Sequence, residues 1–187
     1  MLDRLRRTKG APYAEEALPA ADDHQVGYRS MVATELVAAA DAGARFFPEA
    51  SGETGDIAVD DLAGELASAL VGQLRTRLER AFADGGDEAE VADRVRASYR
   101  EWKTERIAGA AEDAVLAAFG RGVFEAAPAS TAFRWVVDDG EHPCPDCDDD
   151  ALAGAVAKGE PFPTGAVLPP AHPGCRCLIV PAADAGS

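Results

Sequence analysis

The sequence predicts an α+β fold: a mainly α-helical N-terminal two-thirds, followed by a small C-terminal module of the β-hairpin or zinc-ribbon type. Three observations lead to this prediction. Apolar residues recur at helical spacing through most of residues 26–119. From Phe133 onwards the period changes to the alternation expected of a strand. All four cysteines then lie between residues 144 and 177, on either side of a loop rich in glycine and proline.

The length of the chain, 187 residues, suits one domain of moderate size or a small domain with helical attachments. We expect five segments in chain order. They are a flexible tail (1–24), a helical arm (25–86), the helices of a C-terminal domain (87–121), the Cys/His module that completes this domain (131–181, the whole domain spanning 87–181) and a short terminal tail (182–187).

Two helices are predicted in the arm. The first covers about 26–46, where apolar residues follow helical spacing. The second begins at Asp60 or Asp61, which can cap it, and ends at the Gly85-Gly86 pair. A leucine recurs every four residues along this helix, at Leu62, Leu66, Leu70, Leu74 and Leu78. Such a stripe is typical of a buried core face or of a seam with a partner helix.

A third helical stretch opens with Asp87 and Glu90, which have the spacing of a capping box. Its apolar positions are Val91, Val95, Tyr99, Trp102, Ile107, Ala111, Val115 and Phe119. The pattern fits either one long helix or two helices joined near Trp102. We expect Gly120 and Gly122 to end it, because glycine favours helix C-termini.

Two strands are predicted in the Cys/His module. Phe133, Trp135 and Val137 alternate with their neighbours as in a half-buried strand. The second strand covers 177–180 and ends at Pro181. If the two strands pair, both cysteine pairs lie at one end of a small sheet. The intervening residues 151–171 are expected to form a loop with at most a short helix around 151–158.

The composition restricts the classes of partner. The formal net charge is −15, from 33 acidic and 18 basic residues, which argues against a protein that wraps nucleic acid. No apolar run reaches the roughly 18 to 20 residues of a membrane span, and the N-terminus has no apolar signal-peptide core, so we expect a soluble protein that is not exported. The acidic, lysine-poor balance suits a GC-rich genome or a halophilic host.

The cysteines and one histidine have the spacing of metal ligands. Cys144 and Cys147 form a Cys-x2-Cys pair, and His172-x2-Cys175 repeats that spacing. Four such donors make a closed tetrahedral site for structural Zn²⁺. Cys177 is a fifth candidate, because alternate residues of a strand share a face. Our first choice of ligands is Cys144, Cys147, His172 and Cys175, and an all-cysteine set is the alternative.

Three other interpretations of the cysteines remain open: redox catalysis by Cys-Pro-Asp-Cys, structural disulfides, and inert buried thiols. The acidic run 148–150 disfavours free thiolates, whereas a bound Zn²⁺ would compensate both sulfurs and carboxylates. The chain has no Gly-rich phosphate loop, no Gly-x-Ser-x-Gly and no His-Glu-x-x-His. We therefore expect no enzymatic activity.

The cysteine region resembles the Mu F-type head morphogenesis proteins, the minor capsid proteins of tailed viruses. The resemblance covers about residues 90–181 and includes a helix that opens at 104–106. It depends chiefly on a strand tryptophan, a Cys-Pro-x-Cys turn and a closing cysteine motif, which here read Trp135-(x8)-Cys144-Pro-Asp-Cys147 and Pro169-Pro170-Ala-His172-Pro-Gly-Cys175-Arg-Cys177.

The resemblance implies a non-enzymatic virion protein, made in the host cytoplasm and placed at the portal vertex or inside the head. Its expected partners are the portal protein, the major capsid protein or both, in several copies per particle. Its expected role is in head assembly, genome packaging or ejection. Two alternatives are a cellular zinc-ribbon module that binds protein partners and a thiol oxidoreductase.

Overall fold

The computed structural model describes residues 19–47, 56–105, 107–138, 140 and 144–182. The predicted tail up to residue 18, His142 and residues 183–187 lie outside these ranges. Within them the protein has the predicted α+β architecture, with helices α1 (Ala21–Phe46), α2 (Asp60–Ala83), α3 (Glu88–Glu105), α4 (Ile107–Ala126) and α5 (Pro145–Leu152), and strands β1 (Ala132–Val136), β2 (Ala155–Ala157) and β3 (Leu178–Pro181).

The described residues divide into two compact units. Unit one takes in 19–32 and 63–110 without Arg106, and unit two takes in the remaining described residues from 33–62 and from 111 onwards. Each unit therefore combines residues of the predicted helical arm with residues of the predicted C-terminal domain.

Unit one is built on the predicted leucine stripe of α2. The residues of the stripe in this unit are buried together with small and apolar neighbours, namely Leu66, Ala67, Leu70, Val71, Leu74, Leu78 and Ala81. Val91, Val95 and Trp102 of α3 are also buried. The ring of Tyr28 on α1 meets Trp102 edge to face, with centroids 5.9 Å apart. The stripe is thus a core face, one of the two roles predicted for it.

The predicted capping box at the start of α3 is confirmed. Asp87 Oδ1 accepts hydrogen bonds from the backbone N–H groups of Ala89 and Glu90, at 2.9 and 3.0 Å. In return Glu90 Oε2 accepts from the backbone N–H of Asp87 at 3.0 Å. These bonds satisfy N–H groups that a helix start leaves without an intrahelical partner, which explains why the chain begins a new helix after Gly85-Gly86.

In unit two, α4 does not end at Gly120 and Gly122 as predicted but continues to Ala126. Both glycines are buried inside the helix. A Cβ on Gly122 would overlap the carbonyl oxygen of Ala40, and a Cβ on Gly43 of α1 would overlap that of Phe119. The missing side chains let the two helix backbones touch, so here close packing rather than helix termination requires glycine.

The three strands form one antiparallel sheet in the order β2-β1-β3. The predicted pairing of the first and last strands is confirmed, with Trp135 opposite Ile179 and Val136 opposite Leu178. Phe133 and Trp135 face a buried cluster that they share with Val123, Ala127, Cys147, Phe162, Cys175, Cys177 and Ile179. Three cysteines are therefore part of the hydrophobic core of this unit.

The short helix predicted around 151–158 is wrong in position. Helix α5 begins with Pro145 in its first turn, where the missing N–H costs nothing, and Gly154 follows its end with φ +76. Residues 155–157 instead form β2, an edge strand that pairs with β1.

The carboxylate of Asp150, which is fully buried, accepts hydrogen bonds from the backbone N–H and the hydroxyl of Thr164 at 3.0 and 2.8 Å. These bonds attach the following loop to α5.

Candidate metal centre

The first cysteine pair lies at the N-terminus of α5. Cys144 is the N-cap residue, in an extended conformation, and Cys147 lies in the first turn. Because α5 starts at this pair, both side chains are displayed from one end of a short rigid element. Cys147 is buried, with 2% of its surface exposed, whereas Cys144 is half-buried.

The second set of donors lies in the loop that leads into β3. The backbone N–H of Cys175 donates to the carbonyl of His172 at 3.1 Å, which closes a turn between these two candidate ligands. Gly174 in this turn has φ +80, a conformation that glycine adopts readily. Cys175 and Cys177 are both buried, as expected for alternate residues entering a strand.

The structure brings all five predicted donors together. Their ligand atoms form two groups of three, in each of which all separations are within 4.8 Å. One group is Cys144, Cys147 and His172, and the other is Cys147, Cys175 and Cys177. Cys147 belongs to both groups and is the centre of the cluster. The donors line a small cavity of about 60 Å³, together with Val137, Asp138, Gly174 and Arg176.

Two separations within the cluster match the edges of a zinc tetrahedron. Cys147 Sγ lies 3.8 Å from Cys175 Sγ and 3.5 Å from His172 Nε2. Zn–S bonds of about 2.3 Å and Zn–N bonds of about 2.0–2.1 Å at tetrahedral angles give edges of about 3.8 Å and about 3.5 Å. The S–S separation is far from the roughly 2.05 Å of a disulfide. These donors could therefore hold a metal ion.

The imidazole of His172 has the orientation of a metal ligand. Its Nδ1 lies 3.0 Å from the carbonyl oxygen of Pro173, and because a carbonyl only accepts, this bond requires the proton on Nδ1. In the neutral ring the lone pair is then on Nε2, the atom that faces Cys147. The same bond raises the pKa of His172. Ligating histidines commonly use their second nitrogen in this way.

The thiols occupy different environments. Burial raises the pKa of Cys147 far above its ordinary value, and burial also raises that of Cys177. The backbone N–H of Cys147 lowers the pKa of Cys144, as expected for a thiol at a helix N-terminus. Buried sulfurs become thiolates only if a cation compensates their charge, which a bound metal ion does.

The sequence did not reveal the acidic residues that contact the loop leading into β3. Glu112 and Asp113 of α4 form ion pairs with Arg176, the residue between Cys175 and Cys177. The pair is more than sixty residues from Arg176 in the chain. Since no motif links them, only the fold could reveal this contact.

No helix in the described ranges combines the length and apolar character needed to cross a membrane. No protein-family model matches the chain, and the searches of curated proteins and of solved structures found no significant match.

Proposed function

We propose that Cys144, Cys147, His172 and Cys175 bind one structural Zn²⁺ that stabilises the C-terminal module. The observation that carries this proposal is the pair of separations from Cys147 Sγ to His172 Nε2 and Cys175 Sγ, which have the lengths of tetrahedral edges. Cys177, also buried, is the competing ligand in an all-cysteine site. A closed set of four protein ligands leaves no position for a substrate, so the proposed role of the metal is structural.

We further propose that the module belongs to a non-enzymatic minor capsid protein of a tailed virus, bound to the portal protein or the major capsid protein. Support comes from the residues that carry the resemblance. Trp135 and three of the cysteines lie in one core, and both cysteine pairs form the donor cluster with His172. The high negative charge suits a protein that lies beside packaged DNA without binding it.

Metal analysis tests the zinc site. Protein purified under reducing conditions should contain about one equivalent of zinc, and C147S should contain almost none, because Cys147 contributes to either ligand set. C147A serves as a second variant in case serine in the core prevents folding. A wild-type protein without stoichiometric metal would refute the zinc proposal.

Co-sedimentation tests the virion role separately. The purified protein should pellet with portal rings or with assembled heads, and a portal gene should lie next to its own gene. A gene neighbourhood without portal, terminase or capsid genes would favour a cellular zinc-ribbon module that binds protein partners. In either case, the charge predicts no shift of duplex DNA in a gel at low salt.

One observation favours a second candidate, thiol–disulfide exchange. Cys144 is half-buried at a helix N-terminus with a lowered pKa, and Cys147 lies three residues later. These features are typical of thiol oxidoreductases. The strands around α5 are antiparallel, however, and two further thiols and an imidazole share the site. Catalysis of insulin reduction by dithiothreitol that is lost in C144S would establish this alternative.

A further inference from the structure

Asp113 of α4 contacts the loop that contains His172 and Cys175, and its contacts lie on both sides of Cys175. The carboxylate of Asp113 accepts from the backbone N–H of Gly174, at 3.0 Å to Oδ2 and 3.2 Å to Oδ1. Its Oδ1 also accepts from Arg176 Nη1 at 2.8 Å. Gly174 and Arg176 are the two chain neighbours of Cys175. A single carboxylate is therefore bonded to the residue before and the residue after a proposed ligand.

The side chain of Arg176 adds a second restraint. Its Nη1 donates to the carbonyl oxygen of Cys175 at 3.1 Å, while its Nη2 pairs with Glu112 Oε2 at 2.6 Å. The guanidinium thus connects the backbone of Cys175 to helix α4. Since α4 is a regular helix from Ile107 to Ala126, the loop is fastened to a rigid support.

These bonds act mainly by restricting the conformation of the loop, and their charge–charge attraction contributes little to the free energy of unfolding. The side chains of Arg176 and Glu112 are 33% and 60% exposed, so water screens their attraction and the pair contributes little to stability. Asp113 is better shielded, at 23% exposed, and its bond to a backbone N–H restricts the chain directly. Asp113 is therefore the member of the acidic pair whose loss should disturb the loop most.

We propose that Asp113 is a positioning residue for the metal centre, and that its bonds to Gly174 and Arg176 hold Cys175 where the zinc tetrahedron requires it. This inference depends on the proposed zinc site. It assigns a metal-related role to a helix that contains none of the five donors. Removal of the hydrogen-bonding partners that orient metal ligands typically weakens metal binding about 10- to 100-fold.

The test compares metal affinity in D113A, D113N and R176K with that in E125Q, a control at an exposed carboxylate of the same helix. Dissociation constants for Zn²⁺ are measured by competition with a chromophoric chelator, and Co²⁺ spectra report the geometry at saturation. We expect D113A to bind zinc about 10- to 100-fold more weakly with an altered Co²⁺ spectrum, R176K and D113N to be intermediate, and E125Q to stay within about threefold of wild type.

Urea unfolding of the metal-free proteins distinguishes an effect of D113A on the position of Cys175 from an effect on the stability of the whole fold. A purely structural role would lower the unfolding midpoint of D113A but leave its Co²⁺ spectrum and zinc affinity unchanged, and that result would overturn this inference alone. Absence of zinc from the wild type would overturn both proposals. If D113A fails to fold, D113N and R176K provide the same comparison.

Discussion

Gly43 and Gly122 allow helices α1 and α4 to pack with their backbones in contact. Each glycine lies against a turn of the opposite helix: Gly43 against the backbone of Phe119 and Val123, and Gly122 against that of Ala40 and Ala44. The contact is reciprocal, so neither position has space for a Cβ. The same helix α4 then supplies Val123 to the core that contains the cysteines.

We expect G122A and G43A each to lower the free energy of unfolding by about 1–3 kcal/mol, because an added methyl must push two backbones apart. Gly109 provides the control on α4, since a Cβ there meets nothing within 4 Å. G109A should instead raise the free energy of unfolding by roughly 0.5–1 kcal/mol through better helix propensity. Urea denaturation followed by circular dichroism measures all three. Equal effects of G122A and G109A would contradict the close packing.

Single cysteine variants distinguish the two ligand sets. With our first choice of ligands, C177S keeps about one zinc equivalent, whereas C144S binds zinc much more weakly. The Co²⁺-substituted protein should show charge-transfer absorption for three thiolates in wild type and in C177S, and for two in C144S. With the all-cysteine set, wild type should instead show absorption for four thiolates, and both C144S and C177S should bind zinc much more weakly, which would establish Cys177 as the fourth ligand.

The ion pair between Asp61 and Arg121 makes stability depend on pH. Both terminal nitrogens of the Arg121 guanidinium donate to the carboxylate, at 2.5 and 2.8 Å, and this hydrogen bonding lowers the pKa of Asp61 to about 2 from 3.8. A lowered pKa in the folded state stabilises the protein above the ordinary pKa. That contribution is lost as the pH falls from about 4 to about 2.

We therefore expect D61N to be less stable than wild type at pH 7, by less than about 1 kcal/mol because the Asp61 side chain is 56% exposed. The difference should disappear near pH 2. Urea midpoints measured across this pH range provide the test. Protonation of the cysteine and histidine donors affects both proteins alike and cancels in the comparison. In an R121Q background D61N should have no such effect, and a persistent one would refute the pairing.

The buried carboxylate of Asp150 anchors the loop after α5. D150A removes the acceptor of both Thr164 bonds, and we expect a loss of about 1–3 kcal/mol in the free energy of unfolding. Its exposed neighbour Asp149 provides the control, because D149A should stay within about 0.5 kcal/mol of wild type. Thermal unfolding of the zinc-loaded proteins measures both. Equal stabilities of the two variants would show that the Thr164 bonds contribute nothing.

Local signals in the sequence predicted much of the fold. The leucine stripe, the capping box at Asp87 and the alternation around Trp135 each act through neighbours in the chain, so their residues reveal the helix or strand that they form. The five donors could be predicted for a similar reason, because the spacing within each short motif allows its donors to approach one ion.

Features that depend on distant residues could not be predicted. Gly122 looks like a helix terminator until α1 is known to lie against it. Strand β2 has three small residues and needs the edge of β1 to exist as a strand. Asp113 looks like any exposed helix carboxylate, because its partners Gly174 and Arg176 are brought to it only by the folded chain.

The tryptophans are distributed in a way that experiments can use. The chain has two, and both are buried: Trp102 in unit one and Trp135 in unit two. Trp135 packs on Phe162 within the core that contains three of the cysteines. In a W102F variant, intrinsic fluorescence would therefore report only on the unit with the donor cluster, and W135F would leave a reporter for the helical unit. Each compact unit carries its own optical probe, so two single-tryptophan variants allow the unfolding of each unit to be timed separately without a label.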